Sequence, residues 1–230
     1  THKNKMNITH NLNFFIKEFE ETCKRAKRNP KDIKIIGATK GQSIESINAA
    51  ISSGISNFGE NFVQEAEKKM DFVNPNAQWH FIGSIQSRKT KKIASLFQWV
   101  HSVDRVKIAQ NLNKHRPIDK GALNICIQIN IDNEPSKSGI MVKDTKNFIL
   151  ELQNYEMLKI RGLMSIPKPH SDLSKQRKGY KKIKNHFNEL KKTFPFLDTL
   201  SMGMSRDYKA AIIEGSTMVR IGTRIFGPRE

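Results

Sequence analysis

Eight short apolar runs alternate with helical patterns along almost the whole of this 230-residue chain. The strand-like runs fall at 33–39, 56–61, 78–83, 99–104, 123–130, 160–166, 200–205 and 218–226. Apolar residues at helical spacing fill 44–53, 62–72, 87–97, 105–115, 143–152, 172–192 and 207–214. Strict alternation calls for an α/β fold of parallel strands joined by right-handed crossovers. Eight such strands are what a (β/α)8 TIM barrel requires, and about 250 residues is its usual size. An open doubly wound sheet is the alternative, but eight repeats without a reversal signal favour closure. An extra helix over 12–27, with Leu12, Phe15, Ile16, Phe19 and Cys23 at helical spacing, precedes the first strand. No helical pattern follows the eighth strand, so this N-terminal helix is expected to cover the gap. Nothing reads as a linker, and residues 1–230 are expected to form a single domain.

The bulk numbers exclude several classes. No apolar run approaches the roughly 20 residues of a membrane span, and the first residues, Thr1-His2-Lys3-Asn4-Lys5, lack the apolar stretch of a signal peptide. A cytoplasmic protein is the expectation. Cys23 and Cys126 lie in a helix-like and a strand-like segment, where thiols are small core residues, and no zinc-ligand spacing is present. The net charge of +18 invites a nucleic-acid reading. However, 29 of the 40 basic residues are Lys and only 11 are Arg, while Asn reaches 19. Lys and Asn excess together suggests drift at solvated positions, whereas base or phosphate recognition selects Arg forks interleaved with aromatics. No specific nucleic-acid partner is expected.

The barrel reading sorts the unusual residues, because functional groups collect at the C-terminal ends of barrel strands. Lys40 closes the first strand, where partial desolvation frees an amine as a nucleophile. With 29 lysines in the chain a surface residue would win on base rates alone, and the other strand ends change the odds. The second ends in Phe58-Gly59-Glu60-Asn61, and the Asn61 amide can bond an aromatic hydroxyl. The third, Trp79-His80-Phe81-Ile82-Gly83, empties into a glycine turn before a basic helix. The seventh gives Leu200-Ser201-Met202-Gly203-Met204-Ser205, and the eighth Val219-Arg220-Ile221-Gly222-Thr223. Turns of this kind after strands seven and eight make phosphate nests of N–H groups and hydroxyls. Arg220 shares a strand face with Gly222 and points inward, which is costly unless it bonds a ligand or a carboxylate. His80 reads as a hydrogen-bonded barrel residue, and Ser136-Lys137-Ser138-Gly139 as a loop over the mouth.

A lysine amine and a phosphate nest on one rim suggest pyridoxal 5′-phosphate. In these motifs, with Arg161-Gly162-Leu163-Met164 and Ser136-Lys137-Ser138-Gly139, the chain resembles the pyridoxal phosphate homeostasis protein family. The resemblance implies the barrel of alanine-racemase-type enzymes without their second domain, and a cofactor-binding protein of no established turnover. It implies Lys40 as the imine lysine and Arg220 at the pyridine nitrogen. Ser201, Ser205, Gly222 and Thr223 follow as cofactor contacts from the last strands, with Asn61 and Met164 lining the ring pocket. The family usually has Ser-Lys-Thr here, whereas this chain reads Thr39-Lys40-Gly41, which leaves the lysine more loosely supported.

The alternative is a pyridoxal phosphate-dependent amino-acid racemase or lyase. A two-base racemase needs a second proton carrier facing the lysine, commonly a tyrosine from another domain or subunit. Tyr155 and Tyr180 fall on helix-like segments away from the expected rim. A monomer is expected for want of a dimerisation signature, with pyridoxal phosphate-dependent apoenzymes as recipients.

Overall fold

The computed structural model describes residues 2–228. Helix α1 (His2–Arg25) comes first, with Leu12, Phe15, Phe19 and Cys23 buried and Ile16 packed on the same core. Strands and helices then alternate. They are β1 (Lys34–Ala38), α2 (Ile44–Ser52), β2 (Asn57–Glu60), α3 (Val63–Met70), β3 (Gln78–Phe81), α4 (Thr90–Leu96), β4 (Trp99–Val103), α5 (Val106–His115), β5 (Leu123–Asn130), β6 (Ile140–Met141), α6 (Thr145–Leu152), β7 (Leu158–Met164), α7 (Leu173–Thr193), β8 (Thr199–Met204), α8 (Tyr208–Ile213), β9 (Met218–Ile221) and α9 (Thr223–Phe226). Several helix starts are visible in the sequence: Ser43 and Asp172 accept the Ser46 and Lys175 amides at the N-termini of α2 and α7.

Parallel pairing runs β4–β3–β2–β1–β9–β8–β7–β5, and β5 pairs back with β4, so eight strands close a barrel. Sandwiched between strands and helices is a continuous apolar layer that includes Phe58, Phe81, Phe97, Ile127, Leu163, Ile183 and Val219. Inside the barrel a smaller cluster of Ile36, Trp99, Cys126, Met164 and Met218 shares the space with His80, His101, Ser201 and Arg220, all buried. Both cysteines are free and buried.

Two expectations need correction. The apolar run 218–226 is not one strand: β9 ends at Ile221, and the chain turns at Gly222 into α9. Pairing with β1 stops at Gly37↔Ile221, which leaves the last residues free to coil. A short helix therefore follows the eighth barrel strand, and α1 packs beside it. Asn11 donates to the Ile225 carbonyl at 3.2 Å, and Glu18 pairs with Arg224 at 2.8 Å. The second difference is β6, two residues that pair with β5 outside the barrel, too short to leave a periodic trace. No helix among the described residues is long and apolar enough to cross a membrane.

Candidate functional site

The strand order brings the predicted site residues together. Asn61 follows β2, Lys40 follows β1, Arg220 lies in β9 with Gly222 and Thr223 just beyond, Ser201 and Ser205 lie in and after β8, and Met164 ends β7. In the barrel these are five consecutive staves, β2–β1–β9–β8–β7. Gly222 sits against Ala38, where a Cβ would stand 3.5 Å from the Ala38 Cβ, so the β1 and β9 ends touch. Ser205 Oγ accepts the Gly222 amide at 3.2 Å, joining the two turns expected to form a phosphate nest. Met164 is buried opposite Ser201 in the β7–β8 register.

Arg220 is the outlier. Its side chain is buried, 5% exposed, and makes no ion pair among the described residues. One long contact reaches the Ser165 carbonyl at 3.5 Å, and Nε has no partner. Burial lowers the guanidinium from its usual value, opposed by Tyr180 and Asp207, and arginine stays charged regardless. Tyr180, expected to point away from the rim, instead reaches this neighbourhood from α7. Burial and the Asp207 carboxylate push its hydroxyl far up, which keeps it a phenol. A charged group so enclosed and so poorly bonded requires an acceptor.

The other buried polar group is fully matched. His80 Nε2 lies 3.0 Å from Asn57 Oδ1, His80 Nδ1 lies 2.9 Å from His101 Nε2, and His101 Nδ1 lies 2.7 Å from Ser201 Oγ. The Asn57 oxygen can only accept, so each histidine carries its proton on Nε2 and Ser201 donates to the chain's far end. Burial drives both histidines down, His101 to about 3. The Ser201 proton is thereby committed, and its oxygen has only lone pairs to offer. His101 was not singled out by sequence, because its partner stands 21 residues away on the neighbouring strand.

Around Lys40 the chain makes a tight turn. The Gln42 amide donates to the Thr39 carbonyl at 2.9 Å, and Gly41 has φ of 72°, which glycine adopts without strain. The Lys40 amine lies 5.1 Å from the centre of the exposed Phe62 ring and bonds to no carboxylate among the described residues. A cleft of about 530 Å³ opens beside it, lined by Asn11, Gln42, Ser43 and Phe226 among others. The glycine of the third strand end also has a reason: a Cβ on Gly83 would lie 2.3 Å from the Asn61 carbonyl oxygen. The Ser136–Gly139 stretch forms a loop after β5, pinned where the Gly139 amide donates to Asp104 at 3.1 Å.

Residues 14–230 match the family model described as alanine racemase, N-terminal domain. A pyridoxal phosphate homeostasis protein of Haemophilus influenzae is 44% identical over 229 residues, covering 97% of each chain. The protein of that name from Escherichia coli K12 is 40% identical over 227 residues, again 97% of each. This chain belongs to the pyridoxal phosphate homeostasis protein family. A solved structure of PipY from Synechococcus elongatus with PLP bound is 29% identical and superposes with a TM-score of 0.83, covering 96% of this chain and all of that one. Family membership accounts for the barrel. An ion cluster lies behind the Lys40 turn. There Glu60, Glu65 and Lys69, none of them anticipated, meet between β2 and α3.

Proposed function

We propose that this protein binds pyridoxal 5′-phosphate, holds it covalently on Lys40, and serves cofactor homeostasis in the cytoplasm. The observation that carries the reading is Arg220, a buried guanidinium whose Nε has no acceptor among the described residues, one stave away from a lysine amine that bonds to no carboxylate among them. A pyridine nitrogen, uncharged and able only to accept, fits that donor. Bound pyridoxal phosphate supplies an aldehyde carbon that an amine can join with loss of water. The Lys40 amine is the joining group. The Ser205 and Thr223 hydroxyls and the amides around Gly222 hold the phosphate. Asn61 and Met164 flank the ring, and Ser201 contributes as an acceptor only.

The names of the relatives and the PLP carried by PipY support this reading. Arg220 facing the ring nitrogen opposes its protonation and weakens the electron sink that carbanion chemistry uses. The racemase or lyase alternative is therefore not favoured. We take the working unit to be a monomeric single domain over 1–230 that supplies pyridoxal phosphate-dependent apoenzymes.

Borohydride reduction with pyridoxal phosphate, followed by peptide mapping, tests the site. The pyridoxyl group is expected on the peptide containing Ala38-Thr39-Lys40, and Lys40→Ala should abolish the label. A label mainly on another lysine overturns the assignment.

A further inference from the structure

Behind the Lys40 turn lies a charged cluster that the binding reading leaves unused. Lys69 of α3 has a nearly buried side chain whose ammonium donates three hydrogen bonds. They go to the Thr39 carbonyl at 2.8 Å, Glu60 Oε1 at 2.9 Å and Glu65 Oε1 at 2.6 Å. An ammonium has three protons, and all three are used. Glu65 Oε1 also accepts the Gly41 amide at 2.6 Å. The cluster therefore grips the backbone on both sides of Lys40: Lys69 holds the residue before it, and Glu65 the residue after it. Glu60 anchors the grip from β2, wholly buried, with Oε2 unpartnered.

This placement changes the meaning of Gly41. A glycine beside a reactive lysine should loosen the turn, since glycine has the most backbone freedom to lose. Here the turn is closed instead by an ion cluster reaching from the next strand and helix. Burial pushes the Glu60 carboxyl up, against the pull of Lys69. Burial also acts to raise Glu65, but bonds from Lys69 and the Gly41 amide outweigh it and hold that carboxyl below its usual range. A solvated i,i+4 pair needs neither a buried strand carboxylate nor two backbone contacts flanking one residue.

We infer that Lys69 and Glu65 are positioning residues that preorganise the Lys40 turn for covalent capture of the cofactor aldehyde. The inference rests on the proposed role of Lys40. In the step they support, the neutral Lys40 amine nitrogen bonds to the aldehyde carbon, gives up its two protons, and the carbonyl oxygen leaves with them as water. The clamp touches none of the reacting atoms. It removes backbone freedom that the turn would otherwise lose on capture.

The test compares two ligands on the full chain: pyridoxal 5′-phosphate, and pyridoxine 5′-phosphate, which keeps ring and phosphate but has no aldehyde. Lys69→Met alone would strand the Glu60 carboxylate, so the double variant Glu60→Gln/Lys69→Met is measured beside it. The double variant should bind pyridoxal phosphate about tenfold more weakly and form the borohydride-trappable link more slowly, with pyridoxine phosphate affinity unchanged. Glu65→Gln, which still accepts from the Gly41 amide, should stay within about twofold of wild type, whereas Glu65→Leu should behave as the double variant does. Equal weakening of both ligands would make the cluster a general support of the fold and overturn the inference. So would unchanged affinity for both. A wild-type label away from Lys40 would instead defeat the binding reading itself, a separate result on the same samples.

Discussion

The barrel holds two buried polar systems that answer opposite questions. From Asn57 through His80 and His101 to Ser201, every donor meets an acceptor. Arg220 has one long bond and an orphaned Nε. The first arrangement is complete without a ligand and does its work in the folded apo protein. The second is incomplete, and a buried charge left in that state persists only where something else supplies the missing acceptor. Inside the barrel, the satisfied chain is a structural element, and the unsatisfied guanidinium is the group we propose to meet a ligand.

The largest effect that could break this contrast is acid sensitivity. Both histidines are held neutral in the folded barrel, His101 at about 3, while an unfolded histidine titrates near the ordinary 6.5. The unfolded chain therefore takes up protons that the native state refuses. Stability from these groups is full above about 6.5 and falls as pH drops below it; for His101 the loss runs down to about 3, by about 1.4 kcal/mol per pH unit. His101→Leu should remove its share of that slope. It should also cost about 3 kcal/mol at neutral pH, because it leaves the His80 and Ser201 partners unbonded. Urea unfolding across a pH series measures both quantities. An unchanged slope in the variant would show that the chain is not the acid-labile element.

Arg220 should respond in the opposite sense. Arg220→Met removes a buried, unmatched charge, so the apo protein should unfold at the same or a higher urea concentration. Affinity for pyridoxal phosphate should fall about tenfold to a hundredfold, from a charge-assisted bond of about 1.5–3 kcal/mol. Denaturation of the apo form and cofactor titration of the same sample separate the two. A large loss of apo stability with intact affinity would place Arg220 among the structural groups.

The same contrast explains what could be read from the chain beforehand. The eight staves and most strand-end residues were legible because each motif occupies a few consecutive positions at a strand terminus, where the barrel itself dictates the rim. Arg220 was legible too, since alternation within β9 turns it inward. What stayed hidden depends on distant pairing. His101 gains its role from a neighbour on another strand and from Ser201, 100 residues away. Glu65 and Lys69 have the spacing of a solvated helix pair, and only Glu60 and the Thr39 carbonyl show that this pair is buried. The run 218–226 misled because a four-residue helix is too short to show its period. Tyr180 lies on a long helix whose direction over the barrel end no local pattern reveals.

The smallest effect should come from the turn proposed to hold the phosphate. Ser205 Oγ accepts the Gly222 amide, which leaves its own proton free to donate to a phosphate oxygen. Ser205→Ala deletes that donor but also releases the Gly222 N–H, which can turn to the phosphate in its place. The net loss should therefore be about 1 kcal/mol, roughly fivefold in affinity for pyridoxal phosphate. Pyridoxal, without the phosphate, should bind the variant as it binds wild type. Adding Thr223→Ala removes a hydroxyl with no such replacement and should widen the gap between the two ligands. Titration of both ligands against both variants measures it, and equal losses for pyridoxal and pyridoxal phosphate would move the phosphate site away from the β8 and β9 ends.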